Sequence, residues 1–326
     1  MSFFTDAVAV RFTGLDHVFN VSSVFCEIAF GGRSLTIRWY GVIIAFGLAL
    51  AALYGGRIAC TWKISLDKMV DVLLFGAVAG VIGARAYYVI FTWDYFSQHP
   101  GDIFKIWNGG LAIYGGIIGG LIAAFITARV EKINFLNLLD LVGMSLLLGQ
   151  GIGRWGNFAN QEAFGTNTDL PWGMYSEKVR DYIVSNGEFF AENGITMNAD
   201  KPVHPTFLYE SLSCLIGFAV LYIVCRRFRL FSGQLFLLYC VWYGAERGFV
   251  EGLRTDSLYI AGTTLRVSQL ISFAIAAVAL VILAAVTVRY KKKPWQVEGR
   301  DYFYDSEGVR QTDFSLKYNV KKRPAK

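Results

Sequence analysis

Seven apolar runs recur along the chain, at Ile37 to Ala59, Val70 to Ile90, Gly110 to Thr127, Phe135 to Trp155, Pro205 to Cys225, Gly233 to Gly252 and Val267 to Val288. Each is close to the roughly 20 residues that a helix needs to cross a bilayer, about twice the length of a membrane-spanning strand. Inside hydrocarbon every backbone N–H and C=O must be paired, either within one helix or around a closed barrel. Runs of this length therefore predict an all-α integral membrane protein with seven transmembrane helices.

Charge orients those helices. A net charge of +6 spread over a soluble surface would suggest nucleic acid, but here the Lys and Arg residues follow the loops. Nineteen fall at the ends of runs one, three, five and seven or after them, and nine on the opposite side. The positive-inside bias predicts an N-terminus outside and a C-terminus in the cytosol, with no nucleic-acid partner. Asp6, Arg11, Asp16 and His17 interrupt the first twenty residues, so no cleaved signal peptide is expected. The expected organisation is an outer segment at 1–36, a membrane domain at 37–288 with an outer loop at 165–203, and a basic cytosolic tail at 289–326. The outer parts would form a small extracytoplasmic cap.

The five cysteines, at 26, 60, 214, 225 and 240, have no paired or metal-ligand spacing, and the three histidines, at 17, 99 and 204, are scattered. No metal site and no cofactor are expected. Around Gly31-Gly32 the alternation VFCEIAF-GG-RSLTIRW predicts a surface hairpin. In the third run, Gly115, Gly116, Gly119 and Gly120 make two overlapping small-xxx-small pairs, which predict close helix packing; no strand precedes them to make a phosphate loop. Pro205 suits a first helical turn, with Thr206 and Glu210 one turn apart behind it.

Applied to each polar residue within the runs, the topology gathers them at one end. Tyr40 and Tyr114 start runs one and three, while His204 and Glu210 open run five. Arg154 and Arg247 lie toward the outer ends of runs four and six. Arg85 sits fifteen residues into run two, roughly 22 Å from the cytosolic entry at about 1.5 Å per residue. Tyr243, Arg247, Glu251 and Arg254 recur at helical spacing. The pattern predicts a polar cavity in the outer leaflet, and guanidinium groups match the oxygens of a phospholipid phosphate. Each residue alone has a plainer explanation: Arg154 can snorkel, Arg247 can pair with Glu251, and Tyr40 can be an interfacial belt residue.

The densest stretch is Gly153-Arg154-Trp155-Gly156-Asn157-Phe158-Ala159-Asn160-Gln161-Glu162, closing on Gly165. It resembles the signature of the prolipoprotein diacylglyceryl transferases, seven-helix enzymes of bacterial membranes. Arg38-Trp39-Tyr40-Gly41, Gly83-Ala84-Arg85 with Tyr88, Gly109-Gly110-Leu111 to Gly116, His204-Pro205-Thr206 with Tyr209-Glu210, and Tyr243-Gly244 with Arg247, Glu251 and Arg254 agree in order and spacing. The likeness runs from Ile37 to about Val288.

The resemblance implies a multi-pass protein of the bacterial cytoplasmic (inner) membrane, with its active site toward the extracytoplasmic leaflet. It implies transfer of the diacylglyceryl group of phosphatidylglycerol to the lipobox cysteine of a prolipoprotein signal peptide, giving a thioether and releasing glycerol phosphate. On that reading Arg154 and Arg247 hold the phosphate, and Asn157 and Asn160 orient headgroup hydroxyls or hold Arg154. Tyr40, Arg85 and His204 complete the lipid site. Glu162, Glu210 or Glu251 takes the thiol proton, and each is equally a counter-charge for an arginine. Two positions depart from the family pattern: Ala159 replaces a larger apolar residue, and Tyr114 stands where many relatives have histidine. A phenol of pKa about 10 is a hydrogen-bond donor at neutral pH. A lipid transporter would want polar residues at both leaflets and symmetric halves, and a metal-dependent phosphotransferase would want clustered cytosolic carboxylates; neither pattern is present.

Overall fold

A computed structural model describes residues 2–4, 6–30, 33–62, 64–257, 259, 263 and 265–292. The expected Gly31-Gly32 turn and nearly all of the basic tail lie outside the described residues. The structure is mostly helical. Among the described residues, six helices are long and apolar enough to cross a membrane: α1 (Trp39–Thr61), α2 (Leu66–Phe91), α4 (Ile113–Val130), α5 (Phe135–Asn160), α8 (Thr206–Arg227) and α10 (Val267–Lys292). They expose large aliphatic side chains such as Leu74, Ile82, Ile122 and Val281, the surface of a multi-pass membrane protein. A more polar helix, α9 (Gln234–Glu251), covers the sixth run but carries Glu246, Arg247 and Glu251. α5 continues five residues past the apolar run, so the polar motif from Arg154 to Asn160 is itself helical.

The chain divides into two compact units. One contains the described parts of 55–141 and 231–233. Here α2 and α4 pack with no side chain between them: a Cβ on Gly83 would run into the carbonyl of Gly115, and one on Gly115 into the carbonyl of Gly83. The small-residue spacing thus acts as expected, bringing backbones together where lipid offers no hydrophobic drive for association. A short helix α3 (Trp93–Gln98) and two 3-10 turns, Pro100–Phe104 and Ile106–Asn108, join them.

The other unit contains 1–54, 142–230 and 234–294, described to 292. It holds two three-stranded antiparallel sheets. Strand β1 (Ser2–Phe3) pairs with β4 (Val24–Phe30), which pairs with β5 (Arg33–Arg38), so the predicted hairpin is present. In the second sheet β2 (Val8–Phe12) lies between β3 (Val18–Val21) and β6 (Met174–Ser176). β6 comes from the segment after α5, which also carries α6 (Glu177–Ser185) and α7 (Gly187–Glu192). Val10, Phe164, Met174, Val179, Ile183, Phe190, Val203 and Phe207 are buried together beneath this sheet. Ser176 caps α6, its hydroxyl accepting from the Val179 N–H at 3.2 Å.

Candidate active site

The end of α5 is packed on two sides, and the glycines of the motif make that possible. Gly149, Gly153 and Gly156 recur on one face at helical spacing against α1; a Cβ on Gly153 would sit 3.1 Å from Ile44, and one on Gly156 2.9 Å from the ring of Tyr40. On another face the Ser211 hydroxyl of α8 donates to the Gly151 carbonyl at 2.7 Å and accepts from Trp155 Nε1 at 3.1 Å. Tyr40 is therefore both a half-exposed ring and the packing partner of Gly156.

Locked this way, α5 presents Arg154 to Glu210. Arg154 Nη2 lies 2.6 Å from Glu210 Oε2, and Arg247 Nη1 lies 3.5 Å from the same oxygen. Arg247 also meets Glu251 one turn along α9 at 2.5 Å. Arg254 reaches the other oxygen of Glu210 at 3.5 Å and forks onto Asp256 at 2.9 and 2.6 Å. Glu210 is 1% exposed and the three guanidinium groups 12–19%. A carboxylate so buried is tolerable only because cations surround it, and stripping such a group of its partners costs about 3–5 kcal/mol. Burial works against the charge of Asp256, yet the fork from Arg254 holds its carboxyl below the usual carboxylate range.

Next to the cluster lies a cavity of about 560 Å³ lined by Asn157, Asn160, Gln161, Glu162, Lys178, Tyr182, Arg254 and Asp256, with Arg38 at its wall. Asn157 Nδ2 donates to Glu162 Oε1 at 2.9 Å, and the Glu162 N–H returns to the Asn157 carbonyl at 3.0 Å. After Asn160 the chain turns sharply. Gln161 and Ala163 take left-handed φ angles of +52° and +58°, which non-glycine residues rarely adopt.

Residues 27–285 match the family described as prolipoprotein diacylglyceryl transferase. The chain belongs to the prolipoprotein diacylglyceryl transferase family. Among its relatives, the phosphatidylglycerol–prolipoprotein diacylglyceryl transferase of Finegoldia magna is 43% identical over 82% of this chain and 96% of its own length. That of Limosilactobacillus reuteri is 42% identical over 86% and 97%, and that of Staphylococcus aureus 38% over 81% and 89%.

Of the residues that the family likeness singles out, the structure gathers Arg154, Arg247, Glu210 and Glu251 in one ionic cluster, with Asn157, Asn160 and Glu162 along the adjoining cavity. His204 lies apart from both groups. Its Nδ1 is 3.1 Å from the Tyr209 hydroxyl, which also accepts from Trp172 at 2.7 Å, and burial pushes its imidazole below the ordinary histidine range. Arg85 and Tyr114 belong to the other unit. Arg85 is ringed by carbonyls: Nε donates to Ile103 at 2.8 Å, Nη1 to Gly109 and Gly110 at 2.9 Å each, and Nη2 to Asp102 at 2.6 Å. Gly109 and Gly110 reach it through φ of +85° and +73°. Its planar face also lies over Phe96 at 5.1 Å.

Sequence reasoning placed Arg254 here without giving it a role, and missed two further members of this neighbourhood. Arg254 shares the helical stripe of Arg247 and Glu251, a usable signal, although α9 ends before it. Asp256 follows the helix and has no periodic signature. Glu246 lies off the stripe, yet it is within electrostatic reach of Glu210, Arg154 and Arg247.

Proposed function

We propose that this chain transfers the diacylglyceryl group of phosphatidylglycerol to the lipobox cysteine of prolipoprotein signal peptides. Family membership supports the reaction. The observation that carries the site is the meeting of Arg154 and Arg247 at one carboxylate oxygen, which puts two guanidinium groups within reach of a single phosphate.

In the reaction the cysteine sulfur, as thiolate, attacks the sp3 glycerol carbon that carries the phosphate. The C–O bond breaks, its electron pair passes to the phosphate oxygen, and glycerol phosphate leaves with one more negative charge. Arg154 and Arg247 stabilise that charge as it grows, the differential interaction that lowers a barrier. Glu210 holds the two guanidinium groups together so that little reorganisation remains. A thiol of reference pKa about 8.5 must lose its proton. We assign that proton to Glu162, because the oxygens of Glu210 and Glu251 face arginines whereas Glu162 is exposed at the cavity. Asn157, held by Glu162, and Asn160 orient the headgroup, and Tyr40 borders it. We assign His204 and Arg85 to positioning the segments around them, and to Tyr114 a hydrogen-bond donor's part toward the lipid.

The same reading places α9 in the bilayer as the seventh span, with the N-terminus and the sheet-bearing cap outside the bacterial inner membrane and the tail in the cytosol. The loop-charge asymmetry supports this orientation. Incubating purified protein with labelled phosphatidylglycerol and a lipobox peptide tests the whole proposal. A peptide heavier by one diacylglyceryl group should form only when the cysteine is present; equal labelling of a Cys-to-Ser peptide, or none of either, refutes it.

A further inference from the structure

The turn after α5 holds a polar group that the proposed mechanism leaves unused. Gln161 is 4% exposed, and its Oε1 has no hydrogen-bond partner among the described residues. A buried acceptor left unsatisfied costs about 1–3 kcal/mol. Its backbone adds to that cost: φ of +52° is a conformation that glycine adopts freely and glutamine does not. Local folding explains neither burden, since glycine there would remove both. Gln161 lines the 560 Å³ cavity together with Asn160, Glu162, Arg38, Lys178 and Arg254. An acceptor in a pocket with three cations, Arg38, Lys178 and Arg254, and two further amides suits a small anion that carries its own hydroxyl donors.

We infer that Gln161 Oε1 is the acceptor for a hydroxyl of the glycerol phosphate moiety, making it a specificity-determining residue that separates glycerol headgroups from hydroxyl-free ones. This rests on the transferase reading above and adds to it a residue and a chemical criterion. The hydroxyl has two sources, the headgroup of the intact lipid and the released glycerol phosphate. Discrimination of this kind follows from leaving a site's buried polar group unpaired when the substrate lacks its partner.

The test compares phosphatidylglycerol with phosphatidylethanol, which has the same phosphodiester and no headgroup hydroxyl, in the lipobox-peptide assay. Gln161→Gly suits the left-handed backbone and removes the acceptor. The ratio of kcat/KM for the two lipids should fall about tenfold in this variant. If that ratio holds but inhibition by added glycerol phosphate weakens about tenfold, the acceptor serves the departing product, and the inference stands for that source. If neither moves, it is overturned. Should Gln161→Gly be inactive on both lipids, Gln161→Glu decides, because it keeps an oxygen at the same reach: a retained lipid preference supports the inference and a lost one refutes it. Wild-type protein that modifies no peptide refutes the transferase reading instead.

Discussion

The two units solve the same problem, a guanidinium group within an apolar helix, in opposite ways. Arg85 is enclosed by four backbone carbonyls and an aromatic face. Arg154, Arg247 and Arg254 lean on carboxylates that they share. Carbonyls fixed in a loop cannot exchange partners without unfolding that loop, so Arg85 acts as a staple. A carboxylate shared among three arginines leaves N–H groups that a second anion can engage without dismantling the cluster. Depth in the membrane marks an arginine as unusual; the chemistry of its acceptors shows what it is for.

Arg154→Ala should break the comparison hardest on the ionic side. Glu210 keeps Arg247 and Arg254 within 3.5 Å, so the variant should fold, while transfer falls by about 10²–10³-fold, the usual result of removing one transition-state donor. Turnover in the peptide assay measures this, and a normal rate would dismiss the phosphate clamp. Arg85→Leu should act on stability, because it strands four carbonyl acceptors. A loss of about 3–5 kcal/mol, read by thermal unfolding in detergent, is expected. An unchanged melting temperature would show that the staple is idle. Gly83→Ala drives a methyl into the Gly115 backbone and should lower stability by about 1–3 kcal/mol through helix separation.

Smaller effects sharpen the contrast. If the Tyr114 hydroxyl donates in the reaction, Tyr114→Phe should slow transfer about fivefold, the worth of one neutral hydrogen bond near 1 kcal/mol. Unchanged rates for both Phe and His at this position would reduce it to packing. The smallest effect lies in the cap. Burial pushes the Asp6 carboxyl up, but hydrogen bonds from Ser22, Ser23 and the Val24 N–H outweigh it and hold the pKa at about 2. Since the folded value lies below the unfolded one, the stabilisation is present above about pH 4 and lost as pH falls toward 2. Asp6→Asn should flatten unfolding measured across that window.

The long apolar runs made the helices legible, since a bilayer allows their backbone little else, and of the spaced glycines Gly115 and Gly119 bring α4 against the α2 backbone. Charged α9 was legible from its stripe of Tyr243, Arg247 and Glu251. Side-chain partners were harder to read. That Arg85 would find carbonyls and Arg154 a carboxylate depends on the path of residues 102–110 and on the rotation of α8, neither of which has a periodic signal. Asp256 and Gln161 matter through irregular turns, where the backbone follows no repeat. The pairing of β2 with β6 was hidden for a related reason: alternation marks a strand but not its distant mate.

That pairing sets an order of events during biosynthesis. Thr13 bonds to Gly173, 160 residues further on, so the amino-terminal arm is made long before the strand that completes its sheet. At ribosomal speeds of about 5–20 residues per second, it waits roughly 10–30 s with one edge open. Quality-control proteases and chaperones at the membrane surface have that interval in which to find it.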